Sequence, residues 1–195
     1  MKVNNHEQKI FLRKEILCKR NSMSQSQISM KSKLIQQRTV ESMDFVQAKL
    51  IGLYLSMGSE VLTSDIINYV LKSEKTLMLP RIVSNELQFY IVEQKDFEKN
   101  LFDVNRFGIK EPKATNLIAD FIDLLVIPGI AFDKYGYRVG YGYGYYDRFL
   151  IKHKIPKIIG LAYDFQFIDR IPTLSHDRKI DILITESRSH IFNTL

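Results

Sequence analysis

The sequence predicts a three-layer α/β/α fold on a mainly parallel, Rossmann-like sheet. Short, unbroken apolar runs at residues 49–55, 76–79, 124–127, 157–163 and 182–185 read as strands buried on both faces, the pattern of parallel sheets. Stretches with helical periodicity interleave with these runs, and strands alternating with helices build layered α/β domains. A chain of 195 residues with no visible internal repeat is expected to form one domain over residues 1–195.

The elements follow in order. Residues 6–20 read as a helix, because Leu12 and Ile16 stand four apart and Ile10 and Leu17 seven apart. Residues 21–26 are polar and form a loop with an N-cap. A second helix is expected over 27–40, with Ile28, Leu34 and Ile35 on its buried side. The strand at 49–55 is followed by a turn at 56–60, and Thr63 or Ser64 is placed to cap a helix running to about Leu71. The strand at 76–79 should stop at Pro80-Arg81. Residues 86–92 alternate partly and suit an edge strand, and 94–105 read as polar and irregular. After the strand at 124–127, Pro128-Gly129 opens a long loop, and a helix begins near Tyr145. The strand at 157–163 leads into loop or short helix over 164–172, then the last strand at 182–185. The tail from Glu186 carries no functional signal.

Composition excludes several classes. Apolar and charged fractions of 45% and 26% are those of an ordinary globular chain. No apolar run reaches the roughly 20 residues that span a bilayer. Asn4, His6, Glu7 and Lys9 make the start too polar for a signal peptide. A single cysteine, Cys18, permits no internal disulfide and points to a reducing cytoplasm. Four scattered histidines offer no zinc cluster. A net charge of +6 leaves two readings open, attraction to nucleic acid or to small polyanions, beside plain compositional bias.

The stretch 123–150 carries the chemistry. A buried strand runs into a loop with Gly136, Gly140, Gly142 and Gly144, and then into a helix start. Glycines let the backbone approach an anion, free N–H groups point at it, and the helix N-terminus adds partial positive charge. Arg138 stands at the mouth of the loop, and Asp147 follows it where a carboxylate can hold the magnesium ion that accompanies a nucleotide. The spacing is neither the P-loop nor the dinucleotide-binding pattern, and by itself it is also compatible with a tyrosine-rich turn. The turn at 56–60 lies at the carboxyl end of a strand, where open α/β sheets bind ligands.

The run Pro128-Gly129-x-Ala131-Phe132-Asp133-x-x-Gly136-x-Arg138-x-Gly140-x-Gly142-x-Gly144-Tyr145-Tyr146-Asp147-Arg148 closely resembles the signature of the 5-formyltetrahydrofolate cyclo-ligase (5,10-methenyltetrahydrofolate synthetase) family. The signature is long and specific, and the resemblance extends over nearly the whole chain. It implies an ATP- and Mg²⁺-dependent ligase acting on 5-formyltetrahydrofolate, with or without a polyglutamate tail, and no membrane or nucleic-acid partner. Lys9-Ile-Phe-Leu-Arg13 matches the family's Lys-x-x-x-Arg, which reaches the ATP phosphates; without the resemblance, this pair four apart reads as a solvated basic stripe. The expected nucleotide site is Lys9, Arg13, Arg138, Val139, Gly140, Tyr141, Gly142, Tyr143, Gly144, Tyr145 and Tyr146. The expected folate site is Leu55, Met57, Glu60, Phe107 and Tyr145, with Glu60 on the pterin edge and Phe107 stacked on the pterin. The alternative for Phe107 is a core position, and for Glu60 an exposed carboxylate near a helix start. Arg138, Tyr145 and Tyr146 are the expected catalytic residues, and Asp147 and Asp177 the metal ligands; Asp177 could equally be an ordinary loop carboxylate, and His176 its structural neighbour.

Tyr143 departs from the pattern, since the family usually has lysine or glycine there. This leaves open a non-catalytic relative that binds folate or nucleotide. A single-stranded nucleic-acid module is a third reading, because six of the ten tyrosines lie within 135–146. Turnover of 5-formyltetrahydrofolate separates the first two, and salt-sensitive nucleic-acid binding would identify the third.

Overall fold

The structure is a computed structural model that describes residues 5–192, so Asn4 and both ends of the predicted domain lie outside the described residues. Helices α1 (Asn5–Asn21), α2 (Gln25–Glu41) and α3 (Met43–Gln47) precede strand β1 (Leu50–Gly52) and helix α4 (Ser64–Leu71). Strands β2 (Thr76–Val83) and β3 (Glu86–Val92), helix α5 (Gln94–Glu98), and the hairpin of β4 (Phe102–Val104) with β5 (Lys110–Pro112) follow. Then come β6 (Leu124–Ile127), β7 (Ala131–Asp133), β8 (Arg138–Val139) and α6 (Tyr145–Lys152). The chain ends with β9 (Lys157–Leu161), a 3-10 turn at Asp164–Gln166, β10 (Phe167–Ile168), β11 (Ile182–Ile184) and β12 (Ser189–Ile191).

The central sheet has the order β12-β11-β9-β6-β1-β2-β3. Its four inner pairings are parallel, and the two outermost are antiparallel. Strand β6 shows why the fold is layered. Leu124 and Val126 join a core with Ile35, Phe45, Ile66 and Val70 under α2, α3 and α4. Leu125 and Ile127 join a second core with Phe89, Phe132 and Phe149 under α6. Alternate side chains of one strand thus bury two helical layers, as the unbroken apolar run predicts. The two strands that flank β1 fix where a ligand binds. From β1 the chain moves to β2 on one side and later returns to β6 on the other, so the cleft between the β1 and β6 carboxyl ends is the topological switch point.

Several expectations are corrected. The run at 49–55 pairs only over Leu50–Gly52; Leu53 and Tyr54 are buried without being strand. Pro80 does not end β2, which continues to Val83. Pro80 lies opposite Phe89, whose carbonyl accepts from Ala119 on the other side, so this pair exchanges no ladder bonds and the missing N–H costs nothing. Leu34 is exposed, because the buried face of α2 runs through Ile28, Ser32, Ile35, Gln36 and Thr39. Thr63 does not cap α4 with its side chain: its hydroxyl donates to the Tyr54 carbonyl, and Gln36 Oε1 accepts from the N–H groups of Asp65 and Ile66 instead. Residues 94–105 contain α5 and β4, with Asp96 accepting from the Glu93 N–H at the helix start. The tail from Glu186, for which no element was expected, adds β12 antiparallel at the sheet edge and leaves the absence of a functional signal there untouched.

Candidate active site

The loop after β6 is built before it reaches the ligand end. Strands β7 and β8 pair as a tight hairpin, joined by β10. Buried Asp133 holds the hairpin: Oδ1 accepts from the N–H groups of Tyr135 and Tyr137, and Oδ2 from that of Ile171. Gly136 sits in the turn at φ +83, where an added Cβ would come within 2.9 Å of the Ile180 carbonyl oxygen. The hairpin delivers Arg138 and Val139 to the edge of a cleft of about 640 Å³.

All the predicted site residues line this one cleft. Lys9 and Arg13 enter from α1, Arg138 from β8, and residues 139–147 form one wall. Leu55, Met57 and Glu60 come from the chain after β1, Phe107 from the β4–β5 hairpin, and Asp177 from the segment before β11. Arg13 Nε donates to the Gly140 carbonyl at 2.8 Å, tying α1 to the loop. Gly142 at φ +104 and Gly144 at φ +67 occupy the left-handed region that glycine adopts without strain. Gly144 is the N-cap of α6 and has no side chain to occupy the first-turn N–H groups.

The charges are paired. Lys9 Nζ contacts Asp177 Oδ2 at 2.5 Å, with both side chains more than nine-tenths buried. Asp177 Oδ2 also accepts from the Leu174 N–H. Arg138 Nη2 contacts Asp147 Oδ1 at 3.0 Å, and the Arg178 N–H donates to the same oxygen. Among the described residues no group of three or more His, Cys, Asp or Glu is assembled to hold a metal. Asp147 is engaged through Oδ1 alone, and the second oxygen of Asp177 faces only His176 Nε2, at 4.0 Å. Two carboxylates on one cleft are the hard oxygen donors that suit a magnesium ion accompanying phosphate.

Glu60 is buried, not exposed, and its Oε2 accepts from the Met57 N–H at 2.9 Å. Burial pushes its carboxyl above the ordinary range, opposed by that N–H, by Arg20 and by the Tyr141 hydroxyl. Burial, and then the charge of Glu60, hold the Tyr146 phenol protonated well above its usual range. Phe107 belongs to none of the buried clusters. It sits on the rim with its ring 5.0 Å from that of Tyr143, which in turn stacks on Tyr145 at 5.9 Å. The Tyr145 hydroxyl accepts from Arg106. Tyr143 is thus part of an aromatic rim.

Sequence reasoning missed His6 and Tyr54, which also line the cleft, and Arg20, which lies behind it. A signal for Arg20 existed: with Lys9 and Arg13 it recurs on one helical face, seven residues beyond Arg13.

Residues 5–186 match the family described as the 5-formyltetrahydrofolate cyclo-ligase family. The 5-formyltetrahydrofolate cyclo-ligase of Haemophilus influenzae is 31% identical over 92% of this chain and 99% of its own. The probable 5-formyltetrahydrofolate cyclo-ligase of Caenorhabditis elegans is 30% identical over 89% of this chain and 90% of its own. The solved 5,10-methenyltetrahydrofolate synthetase of Aquifex aeolicus superposes with a TM-score of 0.84 at 33% identity, covering 96% of this chain and 94% of that one.

Proposed function

The chain belongs to the 5-formyltetrahydrofolate cyclo-ligase family, and from that premise we propose that it converts 5-formyltetrahydrofolate to 5,10-methenyltetrahydrofolate at the expense of ATP. The formyl oxygen is amide-like, and hydroxide is a poor leaving group for ring closure. Transfer of the γ-phosphoryl group to that oxygen activates the carbon. N10 then attacks it, the C–O bond breaks, and phosphate leaves with ADP as co-product.

Such a reaction asks the protein for positioning and charge neutralisation rather than a covalent nucleophile. Lys9, Arg13 and Arg138 neutralise the phosphates on this reading, and the backbone of 139–146 cradles them. Glu60 holds the donor edge of the pterin, with Leu55 and Met57 against its ring and Phe107 above it. Tyr145 and Tyr146 orient the formyl group; a phenol held protonated can donate a hydrogen bond to the formyl oxygen. Asp147 and Asp177 would hold Mg²⁺, which supplies further neutralisation of phosphate charge. Both carboxylates are now tied to cations that the phosphates also need. A triphosphate that took Lys9 and Arg138 would release Asp147 and Asp177 from their ion pairs, leaving both carboxylates able to hold Mg²⁺.

The single observation behind the reading is that three cations from two elements line one cleft together with a glycine-rich loop and buried Glu60. A polyglutamate tail would extend from the cleft toward solvent. A reducing cytoplasm is the compartment assigned, in keeping with one exposed, unpaired cysteine; no helix among the described residues is long and apolar enough to cross a membrane. The test is an absorbance assay for the methenyl product from 5-formyltetrahydrofolate, ATP and Mg²⁺. Turnover is expected, and its absence in a folded, ligand-competent sample would refute the assignment.

A further inference from the structure

Arg20 is buried to 2% exposure, lines no part of the cleft, and yet is bonded both to the turn that carries Glu60 and to the glycine-rich loop. Its Nη2 donates to the Tyr141 hydroxyl at 2.5 Å, Nε to Ser59 Oγ at 3.0 Å, and Nη1 to the Gly129 carbonyl at 3.4 Å. Ser59 precedes Glu60 and donates in turn to Asn21 Oδ1. The Tyr141 hydroxyl also faces Glu60, near enough for each group to influence the other's titration. One guanidinium therefore ties together the end of α1, the turn that carries Glu60, the chain after β6, and the glycine-rich loop. A fork with fixed donor directions suits such a junction better than a point charge does.

We propose that Arg20 is a positioning residue that couples the Glu60 turn, assigned to the folate, to the glycine-rich loop, assigned to the phosphates, through Tyr141, so that each substrate tightens the binding of the other. The proposal rests on the functional reading above. A pterin held by Glu60 fixes the hydroxyl of Tyr141, and with it the backbone of the loop whose N–H groups face the phosphates. Whichever ligand binds first meets the ordering cost of this shared loop, and the second meets less of it.

The junction also sets charge. The groups facing Glu60 are Arg20 from α1, Tyr54 after β1, Tyr141 of the loop, Tyr146 of α6 and Tyr163 after β9. The four phenols are held protonated above their ordinary range, chiefly by burial. Arg20 is thus the charged group among them that opposes the effect of burial on the Glu60 carboxyl.

Calorimetric titration with 5-formyltetrahydrofolate, with and without a saturating non-hydrolysable ATP analogue and Mg²⁺, reads the coupling directly. The wild-type protein should bind the folate at least fivefold more tightly when the analogue is present. In Arg20→Met and in Tyr141→Phe the ratio should fall below twofold. Arg20→Met should also move the acidic limb of kcat/KM for the folate to higher pH. Tyr141→Phe removes one hydroxyl and keeps the buried cation, so it decides the matter if Arg20→Met does not fold. A wild-type ratio near one, or folded variants that keep the wild-type ratio, would overturn the coupling and leave the functional reading standing. A wild-type protein that binds no 5-formyltetrahydrofolate at all would overturn both.

Discussion

Arg138→Ala is the perturbation that separates the chemistry from the scaffold. The guanidinium is 3% exposed, bonded to Asp147 Oδ1 at 3.0 Å and to the Arg178 carbonyl at 3.1 Å. Two effects follow from its removal. The first is loss of a fixed positive donor at the site of phosphoryl transfer. Removing one such group typically costs about 10²–10³ in kcat, and a loss of at least tenfold is the minimum consistent with the assigned role. The second is structural. Asp147 keeps its charge without its partner, but at 23% exposure it is partly solvated, so the cost is below the roughly 3–5 kcal/mol of breaking a fully buried pair. About 1–2 kcal/mol lowers the melting temperature by roughly 2–8 °C in a domain of this size. The assay is the rate of methenyl product formation at saturating substrates, with thermal unfolding followed by circular dichroism on the same samples. Adding Asp147→Asn relieves the stranded charge and should recover most of the melting temperature while leaving the rate low. An Arg138→Ala protein that folds and turns over at the wild-type rate would refute the placement of the phosphate site.

Glu60→Gln should raise the folate KM at least tenfold and also change stability with a definite sign. The folded carboxyl titrates above its ordinary 4.5, so the native state binds the extra proton and stability falls as pH rises above 4.5 through the raised folded value; melting curves of the glutamine variant should lose that slope. Lys9→Met strands buried Asp177 and should cost about 3 kcal/mol, largely recovered in Lys9→Met/Asp177→Asn, while the KM for ATP rises in both; an unchanged melting temperature in the single variant would contradict the pairing. Gly142→Ala places a side chain at φ +104, costing about 1–3 kcal/mol locally, and should weaken nucleotide binding as read by calorimetry. A chelator should stop turnover and added Mg²⁺ restore it; undiminished turnover in the chelator would remove the metal roles of Asp147 and Asp177.

Legibility in the sequence followed what each residue type can do. Strand β6 was readable because four apolar residues in a row suit a strand buried on both faces, and all four are buried. Helix α1 was readable from its spacing. The apolar run at 49–55 outlasts β1 because such a run reports burial rather than pairing: Leu53 is fully buried but lies past the end of the strand. Leu34 falls outside the buried face of α2 because that face is partly polar. Ser32 and Gln36 lie inward, where they bond the Leu62 N–H and the first N–H groups of α4. Pro80 shows the limit of local chemistry, which says only that a donor is missing; whether a ladder needs that donor depends on Phe89 in the next strand and on Ala119 beyond it.

The site divides along the same line. Residues that would meet a ligand directly carry their chemistry in their type and spacing, and Lys9, Arg13, Glu60, Arg138, Asp147 and Asp177 meet at one cleft from five separate segments. Residues that act on other residues leave a weaker trace. Arg20 differs from a solvated surface arginine only by its position on the face that Lys9 and Arg13 define. Its three acceptors lie 39, 109 and 121 residues away. An isolated guanidinium so deeply buried would be strongly destabilising, and it is tolerated because the fold brings these acceptors together with the Glu60 charge. The same requirement makes Arg20 informative once the fold is in hand, since a buried cation persists where its surroundings meet its bonding needs, and here those surroundings are the turn that carries Glu60 and the glycine-rich loop.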